Sequence, residues 1–223
     1  MQSPRPASVP WDIYVDECKE PGDRCLGFLV VPNTAPFAHK LFRCRHHPTS
    51  NRQGGLETRE IHWNNMHRGV LPVAHRWIFR VFQHRWARFV KWRWPDHVRK
   101  EMRILQFIEY FTGQFNVPGP PFNIVVIMDY DSSHAKAFIQ NTIRRTGQIA
   151  RCYHLASSKN DCIQCCDLLL GVSRFSENNP MCALNYPTLK DRYENGDKLK
   201  NSETRQLLAG YYAQMVDAYG IGI

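Results

Sequence analysis

The chain has 223 residues, 43% hydrophobic and 22% charged, with 29 Lys and Arg against 20 Asp and Glu, a net charge of +9 and a pI near 9.3. That length can bury the core of a single domain, the composition excludes wholesale disorder, and the positive excess favours polyanionic partners, nucleic acid foremost, over cations or acidic proteins. No apolar run approaches the ~18 residues that span a bilayer, and "MQSPRPASVPWD" at the start carries no apolar leader, so the cysteines are expected to be reduced thiols of a soluble, cytoplasmic protein.

Residues 1–10 are rich in Pro and Ser and read as a flexible tail, ahead of a single domain over 11–223. "WDIYVDE" and "CLGFLVVP" read as two strands joined by a turn around Pro21 and Gly22. "APFAHKLFRC" places Phe37, Leu41 and Cys44 at helical spacing, and the polar "HHPTSNRQGG" follows as a loop. "REIHW" resumes order as either a short strand or a helix start. From Pro72 to Trp94, Ile78, Val81, Phe82, Trp86, Phe89 and Val90 form an apolar helical stripe, while Arg76, Arg80, His84 and Arg88 recur every four residues on another face. This basic, Trp-rich segment, with the amphipathic helix after Pro95 that carries Val98, Met102, Leu105 and Ile108, reads as a helical insertion over about 70–112. Its basic stripe is a candidate grip for nucleic-acid phosphates.

Strand chemistry returns at "FNIVVIMDYDSS". Ile124 to Met128 are apolar on both faces, which implies a central strand covered on both sides and hence α/β layering. "AKAFIQNTIRR" reads as a helix, "IARCYHLA" as a strand and "CIQCCDLLLGVSRF" as a helix. A polar stretch through "ENNPMC" and "ENGDKLKN" then leads to a closing helix from about Glu203 to Tyr219. Two clusters raise the question of zinc: "CRHH" from Cys44 to His47, and Cys162 with Cys165 and Cys166. Neither has one CxxC pair matched by a second at finger spacing, which argues against a structural zinc.

The acidic residues stand out against this scaffold. Asp16 and Glu17 follow an apolar strand, and Asp129 ends a second one, so parallel pairing of those strands would set Asp16 beside Asp129. Two carboxylates side by side repel each other unless a cation lies between them. Asp167 sits in the most apolar helix of the chain, where an ionised carboxylate is costly without a partner. Gly171, one turn later, would let that helix approach the sheet and aim Asp167 at the strand ends. Together with Glu60 these residues form the kind of oxygen set that holds two hard cations for phosphoryl transfer.

The motifs "YVDEC", "EIHW", "IMDYDSS" and "SSKNDCIQCCDLLLGVSR", in this order, resemble the bacterial family known as domain of unknown function 3800. Its pattern is a strand ending in Asp-Glu-Ser, a later Glu-aliphatic-Lys/His, a strand-end Asp and a Gln-x-x-Asp-x-x-x-Gly helix. The resemblance covers roughly residues 12 to 175 and implies a ribonuclease H-like α/β fold, a mixed sheet flanked by helices. It carries the family's acidic pair onto Asp16 and Glu17, its Glu onto Glu60, its strand-end Asp onto Asp129 and its helix signature onto Gln164, Asp167 and Gly171. Cys18 stands where the family has Ser.

Residues and resemblance together lead to one expectation: a metal-dependent nuclease or related phosphoryl-transfer enzyme. Asp16, Glu60, Asp129 and Asp167 would bind two Mg2+ or Mn2+ ions, Glu17, Gln164 and Gly171 would support them, and Arg76, Arg80, His84 and Arg88 would contact nucleic acid. The alternative is a nucleic-acid- or protein-binding module that keeps the fold without the chemistry. A thiol-dependent hydrolase using Cys18 or Cys165 lacks a local signature.

Overall fold

The computed structural model describes residues 11–20, 23–32, 36–45, 60–84, 86–93, 97–114, 124–129, 151–156 and 160–219, with isolated helical positions at 137 and 141. The tail, the turn at Pro21 and Gly22, the loop after the first helix and most of the helix expected at 135–145 lie outside these residues.

Five strands form one mixed sheet in the order β3-β2-β1-β4-β5. β1 (Trp11–Glu20) pairs antiparallel with β2 (Asp23–Pro32) along its whole length, from Trp11 opposite Pro32 to Glu20 opposite Asp23. β1 also runs parallel to β4 (Ile124–Asp129), but only as far as Val15 opposite Met128. β4 is parallel to β5 (Arg151–Leu155). Asp16 therefore does not end its strand as the sequence suggested. It marks the point where β1 loses its parallel neighbour and continues as one arm of a hairpin, because β2 supplies a ladder to Glu20 while β4 stops at Asp129.

Strand alternation divides the apolar residues between two faces. Tyr14, Cys25, Leu29, Val31 and Ile127 join one cluster, built with α1 (Pro36–Arg45), α2 (Leu71–Gln83), α4 (Asp161–Asn178), α5 (Met181–Glu194) and α6 (Asn201–Tyr219). Ile13, Val15, Leu26, Phe28, Val30, Val126 and Met128 face the other way, onto Ile104, Phe107, Ile108 and Phe111 of α3 (Lys100–Gln114). On α3 those residues carry the burial, while Met102 of the expected stripe is 44% exposed.

The segment from Pro72 to Trp94 is not one helix. α2 closes at Gln83 with His84 as its C-cap, and β3 (Arg88–Arg93) pairs antiparallel with β2, so Val90 opposes Phe28. The region expected as a helical insertion thus contributes an edge strand of the sheet and, in α3, the cover of one face. Apolar residues at 86, 89 and 90 satisfy either period, and the open ladder of β2 selects the strand. α5 occupies part of what read as polar loop. No helix among the described residues is long and apolar enough to cross a membrane.

Candidate active site

α4 starts where the Asn160 side chain accepts hydrogen bonds from the N–H groups of Cys162 and Ile163, at 2.9 and 3.0 Å. This N-cap fixes the helix register, and the register turns Gln164, Asp167 and Gly171 towards one segment, residues 61–63. The "EIHW" stretch is neither a strand nor a regular helix. It is an extended strap that ends in a single 3-10 turn at Trp63–Asn65.

Each signature residue holds one point of the strap. Gln164, 1% exposed, accepts through Oε1 from the Ile61 N–H at 2.7 Å and from Arg45 Nη2 at 2.7 Å. Arg45 also pairs with Asp161 at 2.5 Å, so the end of α1, the strap and the start of α4 form one buried polar knot. Asp167 Oδ2 accepts from the Trp63 N–H at 2.9 Å and lies 3.3 Å from His62 Nδ1. Gly171 supports the Trp63 ring: a Cβ there would come within 2.2 Å of Trp63 Cγ. The expected role of Gly171, close approach of helix to sheet, is thus corrected to close approach of the strap to the helix. Arg205 closes the strap from α6, donating to the Asn64 carbonyl at 2.6 Å with its guanidinium 5.8 Å from the Trp63 ring centroid.

The strap places Glu60 and His62 against the carboxylates. Burial holds the Asp167 carboxyl above its ordinary range, and the charge of Glu60 pushes the same way; His62, the Trp63 N–H and a hydrogen bond with the Asp16 carboxyl oppose it. Asp16 Oδ1 also accepts from the Glu17 N–H at 2.8 Å. Two carboxyls that share a hydrogen bond must share a proton between them, or take a cation in its place. Asp16 and Asp167 are therefore brought together, with Glu60 near enough for its charge to be felt. Asp129 follows Met128, the partner of Val15, so its backbone lies in β4 beside Asp16; its side chain is outside the described set.

Glu17 belongs elsewhere. Strand alternation turns it to the α3 face, where Lys100 Nζ lies 3.1 Å from its carboxylate. Of the proposed basic stripe, Arg76, Arg80 and His84 keep their spacing along α2, and Arg88 leaves it. Arg76 is half-buried and donates to the Cys44 carbonyl at 3.5 Å, Arg80 is exposed, His84 caps α2 and Arg88 opens β3. Among the described residues, no group of three or more His, Cys, Asp or Glu side chains is drawn close enough to hold a metal ion. The donor chemistry is still that of a hard-cation site: two part-buried carboxyls in mutual contact, with a third carboxylate in electrostatic range.

Cys165 offers no competing centre. All eight cysteines are free, Cys165 is fully enclosed, and burial pushes its thiol far from the reactive thiolate form. Arg174 Nη1 donates to Cys18 Sγ. Arg45 was not anticipated as part of the site; it meets Gln164 across 119 positions of sequence, and no local pattern announces that contact. No family model matches the chain, and no curated protein matches it.

Proposed function

We propose that this protein is a metal-dependent phosphoryl-transfer enzyme of the nuclease type on a ribonuclease H-like scaffold, related to the domain of unknown function 3800 family. The observation that carries this reading is the Asp16–Asp167 carboxyl pair, part-buried, in contact and flanked by Glu60. Two carboxyls in such contact repel each other unless a proton or a cation lies between them. The strand order 3-2-1-4-5, with β2 antiparallel, agrees with the ribonuclease H-like reading.

In this reading Asp16, Glu60, Asp129 and Asp167 hold Mg2+ or Mn2+. Bound there, the ions would acidify an attacking water and neutralise charge on the leaving 3′-oxygen. The protein's own contribution is positional. Gln164 and Gly171 fix the strap, the strap fixes Glu60, and the N–H of Trp63 orients Asp167 so that one edge of its carboxylate is turned to Asp16.

The test is cleavage of single- and double-stranded substrates with Mg2+, Mn2+ or EDTA, alongside Mn2+ binding followed by paramagnetic resonance. The parent should cleave only with metal, and Asp167→Asn should lose both cleavage and Mn2+ binding. Nucleic-acid binding by a parent that neither cleaves nor binds Mn2+ would establish the alternative, an inactive binding module.

A further inference from the structure

The positive charge of this chain is not spread along it. Residues 24–95 contain thirteen Lys and Arg and only two acidic residues, Glu57 and Glu60, for a net +11 against +9 for the whole chain. The rest of the protein is therefore slightly acidic. α1, α2 and β3, which all lie in this segment, contain no acidic residue.

Within that segment the described cations differ in what they can reach. Arg45 and Arg76 turn inward to protein oxygens. On α1, by contrast, His39, Lys40, Phe42 and Arg43 are all exposed, and Phe42 is 50% accessible despite its size. Its ring lies nearly parallel to that of His39, at an interplanar angle of 18° and a centroid distance of 6.4 Å. Exposed Arg80 continues this face onto α2. His84, one turn further, stacks edge-on against Phe37 of α1 at 5.2 Å. Burial, then the charges of Lys40 and Arg88, depress its pKa, so α1 and β3 both bring positive charge to this place.

We infer that the exposed face of α1, continued by Arg80, binds single-stranded nucleic acid, with bases stacked on Phe42 and His39 and phosphates against Lys40, Arg43 and Arg80. The inference deepens the nuclease reading and rests on it for the path of the strand. α1 ends at Arg45, which is bonded to Gln164, which in turn holds Ile61 beside Glu60. A strand laid along α1 thus runs towards the carboxylates. The aromatic pair selects the single strand, because bases inside a duplex present no free face to a side chain. A lipid surface would need a continuous apolar face, and Phe42 is the one large apolar residue exposed on α1.

The experiment is a fluorescence-anisotropy titration in EDTA, which removes turnover, with labelled oligothymidylate, a duplex of the same length and phosphatidylserine vesicles. The parent should prefer the single strand. Phe42→Ala should weaken that binding about tenfold and leave duplex binding unchanged. Replacing Lys40, Arg43 and Arg80 together with Gln should lower the salt-dependence slope by about two. Single-strand binding unaffected by Phe42→Ala, or preference for duplex or vesicles, overturns the inference. A parent that cleaves with Mg2+ while Phe42→Ala binds normally discards this surface alone; a parent that binds as expected but cleaves with no metal discards the catalytic reading alone.

Discussion

On the α3 side of the sheet, Phe28 stacks on Phe107 with ring centroids 3.8 Å apart, and Trp92 meets the Phe107 edge at 5.2 Å. On the α4 side, the sheet faces a helix that buries Gln164, Ser173 and Arg174 among its leucines and three of its thiols. The first face can be filled by any well-shaped set of apolar side chains. The second works only if each polar group meets a particular partner, since an unpaired one costs as much as it would otherwise contribute. Both faces bury apolar side chains, and the α4 side adds buried polar groups on whose partners its specificity depends.

The largest effect should come from the aromatic face. Phe107→Ala removes a fully packed ring from between Phe28 and Trp92 and should cost about 4 kcal/mol in a denaturant titration. Mn2+ affinity of the remaining folded protein should be unaltered. A loss of affinity would mean that the two faces are coupled through the sheet.

On the other face, Gln164→Ala leaves the Ile61 N–H and one arm of the Arg45 guanidinium without their acceptor. The expected cost is about 3 kcal/mol, with Mn2+ affinity falling as Glu60 loses its anchor. Gln164→Glu retains the acceptor and should restore most of the stability. Equal losses in both variants would separate the strap from the hydrogen bond assigned to it.

His75 tests the same face through pH. Burial lowers its pKa from 6.5 to about 4, and its ring lies 4.3 Å from that of Tyr211. A depressed histidine contributes stability that is complete above pH 6.5 and is lost as pH falls towards 4. Between pH 7 and 5 the parent should lose roughly 2 kcal/mol through this group, and His75→Phe should flatten that part of the profile. An unchanged slope would assign the acid sensitivity to other groups.

The smallest expected change in stability belongs to Asp167→Asn. The Trp63 N–H keeps an acceptor, and the like charge facing Asp16 disappears, so in EDTA the melting curve should shift by less than ~1 kcal/mol. The partner left behind is His62, a 38% exposed side chain and not a stranded buried cation. A loss of several kcal/mol would make Asp167 a structural residue.

Much of this architecture was legible in the sequence because local pattern and tertiary environment agree. β1, β2, β4, α4 and α6 announce themselves by apolar period, and the cost of burying Asp167 marked it as a residue that needs partners. α5 was hidden. It contains Pro187, follows Pro180 and has little amphipathic character, yet it is held helical by contact with α6, where a Cβ on Gly210 would come within 2.5 Å of the Cys182 carbonyl. Tertiary packing overrides propensity there. In the site, Asp16, Glu60 and Asp167 were legible as types that need company. The link from Arg45 through Gln164 to Ile61 was not, because it joins segments over 100 residues apart whose side chains are individually unremarkable.

β3 has a consequence for how separate molecules meet. An outer strand offers its unpaired amides and carbonyls to any strand that approaches, and two identical sheets can fuse along such a border. Here Lys91 is held in an ion pair by Glu177, but Arg88 and Arg93 also lie on the border, so two copies approaching in that way bring like charges together. Exchanging Arg88 and Arg93 for Thr would keep the strand's local preference and remove this repulsion. Light scattering at rising protein concentration should then report self-association before cleavage or binding registers any change.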